Sequence, residues 1–117
     1  MSEQRQYRIM TRHPEGKSGI SIDRETYTLV SDYIFTTLKR EEASTLAVLI
    51  DKAATYFPST FNNWMLNSYL FWIKLDLEAK GIIKNVYRKN GKGLQSFKLA
   101  RKWMNKKTTS LQEALVC

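Results

Sequence analysis

At Gly81 the apolar pattern of this chain changes its period. Before it, over about residues 62–80, Leu66, Leu70, Ile73 and Leu77 recur at three- and four-residue spacing with Tyr69 beside them. That spacing predicts one stripe of a helix. After it, Ile82-Ile83-Lys84-Asn85-Val86-Tyr87-Arg88 and Leu94-Gln95-Ser96-Phe97-Lys98-Leu99 read as strands. Lys89-Asn90-Gly91-Lys92 between them reads as a tight turn, because Asn-Gly accepts positive φ at both central positions. Gly81 itself fits the left-handed residue that ends a helix. A long helix that feeds straight into a β-hairpin restricts the chain to a mixed α+β fold.

The upstream sequence adds two helices. Asp23 is a good N-cap, and Tyr27, Val30, Ile34 and Leu38 follow at helical spacing, which predicts a helix over about 23–41. Lys39 and Arg40 close it where the dipole favours cations. Ser44 or Thr45 can cap a second helix, about 45–56, with Leu46, Leu49, Ile50 and Ala53 on its buried face and Pro58 beyond its end. Residues 1–19 read as an irregular arm, with a turn at His13-Pro14-Glu15-Gly16 and a flexible point at Gly19. Ile20 and Ile22 flank Ser21 as a brief strand or anchor. The expected organisation is an arm (1–19), one domain (20–99) and a tail (100–117). In the tail, Ser110-x-x-Glu113 has capping-box spacing, which predicts helical turns over 111–116. A length of 117 residues suits one domain with a real core.

Charge is concentrated. The net charge is +8, and residues 80–107 hold ten bases and no acid. Such a block attracts polyanions, or serves as a solvated surface. Several classes are disfavoured. One cysteine, Cys117, leaves no internal disulfide framework, and one histidine, His13, leaves no His/Cys metal cluster. No apolar run approaches the roughly 20 residues needed to span a bilayer, and no secretory signal opens the chain. Asp76 and Glu78 point different ways on a helix and make no acid/base pair. No phosphate loop, nucleophile elbow or metal-spaced cluster is present. The expectation is a cytoplasmic protein that is not an enzyme and carries no cofactor or metal.

The order helix, short segment, helix, helix, hairpin is the winged-helix order. Lys74-Leu75-Asp76-Leu77-Glu78-Ala79-Lys80-Gly81-Ile82-Ile83-Lys84 resembles the junction between recognition helix and first wing strand in bacterial winged-helix regulators. With His13-Pro14-Glu15-Gly16-Lys17 and Ile20, Ile22 and Asp23, residues 9–99 are similar to a family of small uncharacterised bacterial winged-helix proteins. The resemblance implies a three-helix bundle with a C-terminal two-stranded hairpin wing, and, by analogy, double-stranded DNA as partner. Winged helices also act as protein-docking and dimerisation modules, and fold alone does not decide between these uses.

On the DNA reading, Asn62, Asn63, Asn67, Ser68 and Lys74 of the third helix face base edges. Arg88, Lys89 and Lys92 at the hairpin tip face phosphates. Each has a plainer role available: Asn62 or Asn63 as helix cap, tip lysines as guards against aggregation. Trp64, Trp72 and Trp103 could stack on bases, with core packing the stronger reading for the first two. The third helix also carries a second apolar stripe, Phe71, Trp72, Leu75 and Ala79. Exposed, it would be a large apolar patch. Cover is expected from Trp103, Met104 and Leu111 of the tail and Tyr7 and Ile9 of the arm, or else from a second subunit in a homodimer.

Overall fold

Helix α1 (Arg24–Glu41) starts where Asp23 accepts the Thr26 N–H at 3.0 Å. In this computed structural model, residues 8–57, 63–86, 96–107 and 111–116 are described. Strand β1 (Arg8–Met10) pairs antiparallel with β2 (Ser21–Asp23), Ile9 opposite Ile22. A two-residue strand β3 (Ser44–Thr45) follows α1, and Thr45 caps α2 (Leu46–Tyr56) by accepting the Val48 N–H. Then come α3 (Asn63–Ala79), β4 (Ile83–Val86), β5 (Ser96–Leu99), a single turn α4 (Arg101–Met104) and α5 (Leu111–Val116). The molecule is thus α+β, with two small antiparallel sheets among the described residues. In the second, the order is β3-β5-β4, so the last strand lies in the centre.

The core lies where α1, α2 and α3 meet the inner face of this sheet. Val30, Ile34 and Leu38 of α1, Leu49 of α2, Leu70, Ile73 and Leu77 of α3 and Phe97 and Leu99 of β5 are all buried. These are the stripes that the sequence periodicity marks. Tyr33 donates its hydroxyl to the Leu49 carbonyl at 2.7 Å and so ties α1 to α2. Burial pushes this phenol up to about 12, which keeps it a donor.

The junction at Gly81 has the expected form. Its φ is +77°, the Ile82 N–H reaches back to the Leu77 carbonyl at 2.9 Å, and the Gly81 N–H reaches Glu78 at 3.1 Å. Those two bonds are a Schellman ending, and Ile82 and Leu77 are both buried in the same core cluster, in keeping with the apolar pairing that often accompanies the motif. Gly19 has a different role from the flexible point expected of it. A Cβ there would lie 2.0 Å from the Thr11 carbonyl oxygen. The arm crosses itself at that place, with Thr11 N–H to Ile20 O and Ile20 N–H to Thr11 Oγ1, both 2.9 Å. Close approach, and not flexibility, requires the glycine.

The arm is more regular than the sequence suggested, because β1 forms only by pairing with β2. The tail also goes elsewhere than expected. Leu111 and Ala114 are buried, and α5 packs on α1. Asp32 of α1 accepts the N–H groups of Leu111 and Gln112 at 2.9 and 3.2 Å, supplying α5 with its cap. The Ser110 capping box lies outside the described residues. Lys39 of α1 donates to the carbonyls of Met104 and Lys106 and holds the start of the tail on the same helix. Ile9, Trp103 and Met104 do pack against the core. Phe71 nevertheless remains 44% exposed, with Trp72 and Leu75 half-buried. The expected cover of the second stripe is therefore incomplete, and Tyr7 lies outside the described residues.

Candidate nucleic-acid interface

Of the residues read as facing DNA, Asn67 is exposed and Ser68 half-buried on α3. Asn67 lies beside Asp51 of α2 in a shallow cleft of about 220 Å³. Asn62, the side chain of Asn63, and Arg88, Lys89 and Lys92, which the sequence predicts at a hairpin tip, lie outside the described residues, as does the side chain of Trp64.

Lys74 is committed inside the fold. Its ammonium lies 3.0 Å from Glu78 Oε1 and 3.4 Å from Asn85 Oδ1, and 5.1 Å from the centroid of the Phe97 ring. Asn85 in turn donates to Glu78 Oε2 at 2.7 Å. The side chains of Lys74 and Glu78 are only 14% and 19% exposed. This cluster clamps α3 to β4, and a cation so placed has its charge met by the protein itself.

Among the described residues, the most thoroughly bonded charge is one that the sequence did not assign. Asp76 of α3 is fully buried. Its Oδ1 accepts the Arg12 N–H at 2.8 Å, and its Oδ2 takes the Tyr27 hydroxyl and, at 2.8 Å, the Lys80 ammonium. Lys80 also lies 3.0 Å from Tyr27 Oη. Burial, then the hydrogen bond and charge of Asp76, push the Tyr27 phenol far above its ordinary value, so it stays a donor. The carboxylate has its bonds made by the arm, α1 and the end of its own helix. It is a junction of the fold. The Asp76–Lys80 spacing, four apart on one helix, was its visible signal in the sequence.

His13, in the turn that the sequence predicts, is half-buried, and its Nδ1 accepts the Glu15 N–H at 3.1 Å. Among the described residues no group of three His, Cys, Asp or Glu side chains could hold a metal ion, and no helix is long and apolar enough to cross a membrane.

What the geometry defines is a small α+β domain whose three main helices pack on a three-stranded sheet. The chain belongs to a family of unknown function, DUF6958, whose family model matches residues 8–93. Comparison with curated proteins and with solved structures gave no match.

Proposed function

We propose that this domain is a winged helix that binds duplex DNA as a small regulator in the bacterial cytoplasm. The observation that carries the reading is the connectivity. A short β3 between α1 and α2 pairs with β5, and β4 and β5 follow α3 as an antiparallel pair. Strand β5 is thereby tied to the segment between α1 and α2, a fixed base for the wing that this reading expects. On this reading α3 offers Asn67 and Ser68, with Asn62 and Asn63 before them, to the major groove, and Arg88, Lys89 and Lys92 approach the phosphates. Lys74 has no part in it.

The test is binding of the full chain to random duplex DNA at two salt concentrations. Lys89→Ala with Lys92→Ala should weaken binding to all sequences alike and lower the salt slope by about 0.9 for each phosphate no longer neutralised. Absence of binding by the wild type at about 50 mM salt, where phosphate contacts are strong, would sink the reading.

One observation favours a second use, docking of another protein or of a second copy. Phe71 and Trp72 form an edge-to-face pair, centroids 5.5 Å apart, on the partly exposed side of α3. A chain that elutes as a dimer and becomes a monomer on Phe71→Ser would support that use.

A further inference from the structure

Lys84 of β4 and Lys98 of β5 stand directly opposite each other. Both are exposed, on the face of the sheet away from buried Ile83, Phe97 and Leu99. Like charges at paired positions of an antiparallel ladder repel and cost stability. Edge strands carry lysines to prevent pairing with other chains, which accounts for Lys84. That account reaches Lys98 only in part: β5 is the central strand, its pairing with β3 ends at Phe97, and Lys98 is paired in the ladder with Lys84. Arg101, at the start of α4, brings a third exposed cation to the same place. Among the described residues none of the three is in an ion pair.

These cations line a groove of about 520 Å³. That volume is within the range of small-ligand sites, about 300–1,000 Å³. Val86, on the same strand face as Lys84, and Met104 of α4 give it apolar surface, and Glu42 is the acid among its lining. Its walls are set by bonds of the fold. The β4–β5 ladder fixes the two lysines, and the Ala100 N–H reaches Ile82 O at 2.9 Å just before Arg101. Lys39 holds the Met104 carbonyl at 3.0 Å, and the Glu42 N–H closes α1 on Leu38 O at 2.9 Å. A site with walls so fixed needs little rearrangement to bind.

We infer that this groove binds a small organic anion. A phosphate or carboxylate head sits among Lys84, Lys98 and Arg101, and an apolar body lies against Val86 and Met104. The concave shape and the apolar wall distinguish it from a strip of phosphate contacts along a duplex. The inference stands apart from the DNA reading, since the site lies on the sheet face and its test needs no DNA.

The experiment is an amide chemical-shift titration of the full chain with phenyl phosphate, benzoate and inorganic phosphate. The expected result is saturable shifts at residues 42–43, 84–86 and 98–104, with at least one of the two aryl anions about tenfold tighter than inorganic phosphate because of its apolar body. Which aryl anion binds better tells phosphate from carboxylate as the head. Lys84→Ala with Lys98→Ala should weaken binding by about tenfold or more, at an unchanged or raised melting temperature. Linear shifts without saturation, or shifts confined to other residues, would overturn the inference. So would a double variant that is folded and binds as the wild type does. A duplex DNA that shifts the same amides while the aryl anions do not would also overturn it, assigning the groove to phosphate backbone.

Discussion

Asp76 and Lys98 are both charged residues on interior elements of the fold, one on α3 and one on the central strand, and the molecule treats them oppositely. Asp76 has no exposed surface, and three donors meet its carboxylate. Lys98 is exposed and faces another lysine. A charge fully met by the protein holds the structure together and has little left to offer a ligand. A charge left opposite its like costs a little stability and keeps its attraction for an anion unspent. The contrast separates the Asp76 junction, which is architecture, from the sheet face, where binding energy remains available.

The largest expected effect is at the architectural end. Asp76→Ala leaves the Tyr27 hydroxyl and the Arg12 N–H without an acceptor and Lys80 without its partner. Breaking a buried ion pair from one side costs about 3–5 kcal/mol. Lys80 is 33% exposed and can turn to water, so the low end of that range is expected. Urea unfolding measures it. Asp76→Asn keeps one carbonyl acceptor and should cost distinctly less. A loss below about 1 kcal/mol for the alanine variant, no more than an ordinary hydrogen bond contributes, would show that the cluster is not a junction and remove one side of the comparison.

Next comes the turn out of α3. Nothing lies within 4 Å of a Cβ built on Gly81, so a side chain there has room and the cost is one of backbone conformation alone. Gly81→Val should destabilise by more than about 1 kcal/mol, because a β-branched residue resists positive φ. Gly81→Asn should cost less, since asparagine tolerates the left-handed region. Equal melting temperatures for the two variants would mean that φ is not what the position selects.

Gly81 also shows what the sequence could reveal. Asp23, Thr45 and Gly81 bound their helices by chemistry confined to a few neighbouring residues, and each boundary is read from the sequence to within about a residue or two. The buried stripes of α1 and α3 are legible for the same reason. What escaped depends on distant partners. Strand β1 exists by pairing with β2, and β3 by pairing with β5 about fifty residues on. The cap of α5 comes from Asp32, 79 residues before Leu111. Asp76 meets Tyr27 and Arg12 across 49 and 64 residues. Lys74 reads as an exposed basic residue on a helix until Asn85 and Phe97 fold over it. The opposition of Lys84 and Lys98 needs the hairpin register, which the sequence alone does not specify.

A smaller effect is expected at the start of α1, where pH tests a charge that is met. For Asp23, burial would raise the carboxyl. The Thr26 hydrogen bonds and the Arg8 guanidinium outweigh it and hold the group below its ordinary value. A depressed folded pKa contributes stability above the unfolded value, about 3.9, that is lost as pH falls through the folded one. Asp23→Ala should therefore cost about 1 kcal/mol at neutral pH. The difference from wild type should shrink as the solution is acidified below pH 4. A gap independent of pH would assign the effect to packing.

The smallest effect is expected at the other pole of the comparison, and it has the opposite sign. Lys98→Thr removes one of two opposed lysines and places a β-branched residue on the central strand. Without ligand the variant should be more stable than the wild type by about 0.2–1 kcal/mol at low salt, the scale of a cross-strand pair. Part of that gain is strand preference and is indifferent to salt. The repulsive part must fade near 1 M salt, where the screening length falls to about 3 Å. The informative quantity is thus the change in the gain between low and high salt. Lys107→Thr removes the same charge from outside the ladder and serves as the control for net charge. If Lys98→Thr gains stability at low salt, loses part of the gain at high salt and no longer binds phenyl phosphate or benzoate, the residue is retained at a cost to the fold for what it holds. If it is destabilising at low salt, Lys98 is part of the architecture after all, and the sheet face belongs on the same side of the comparison as Asp76.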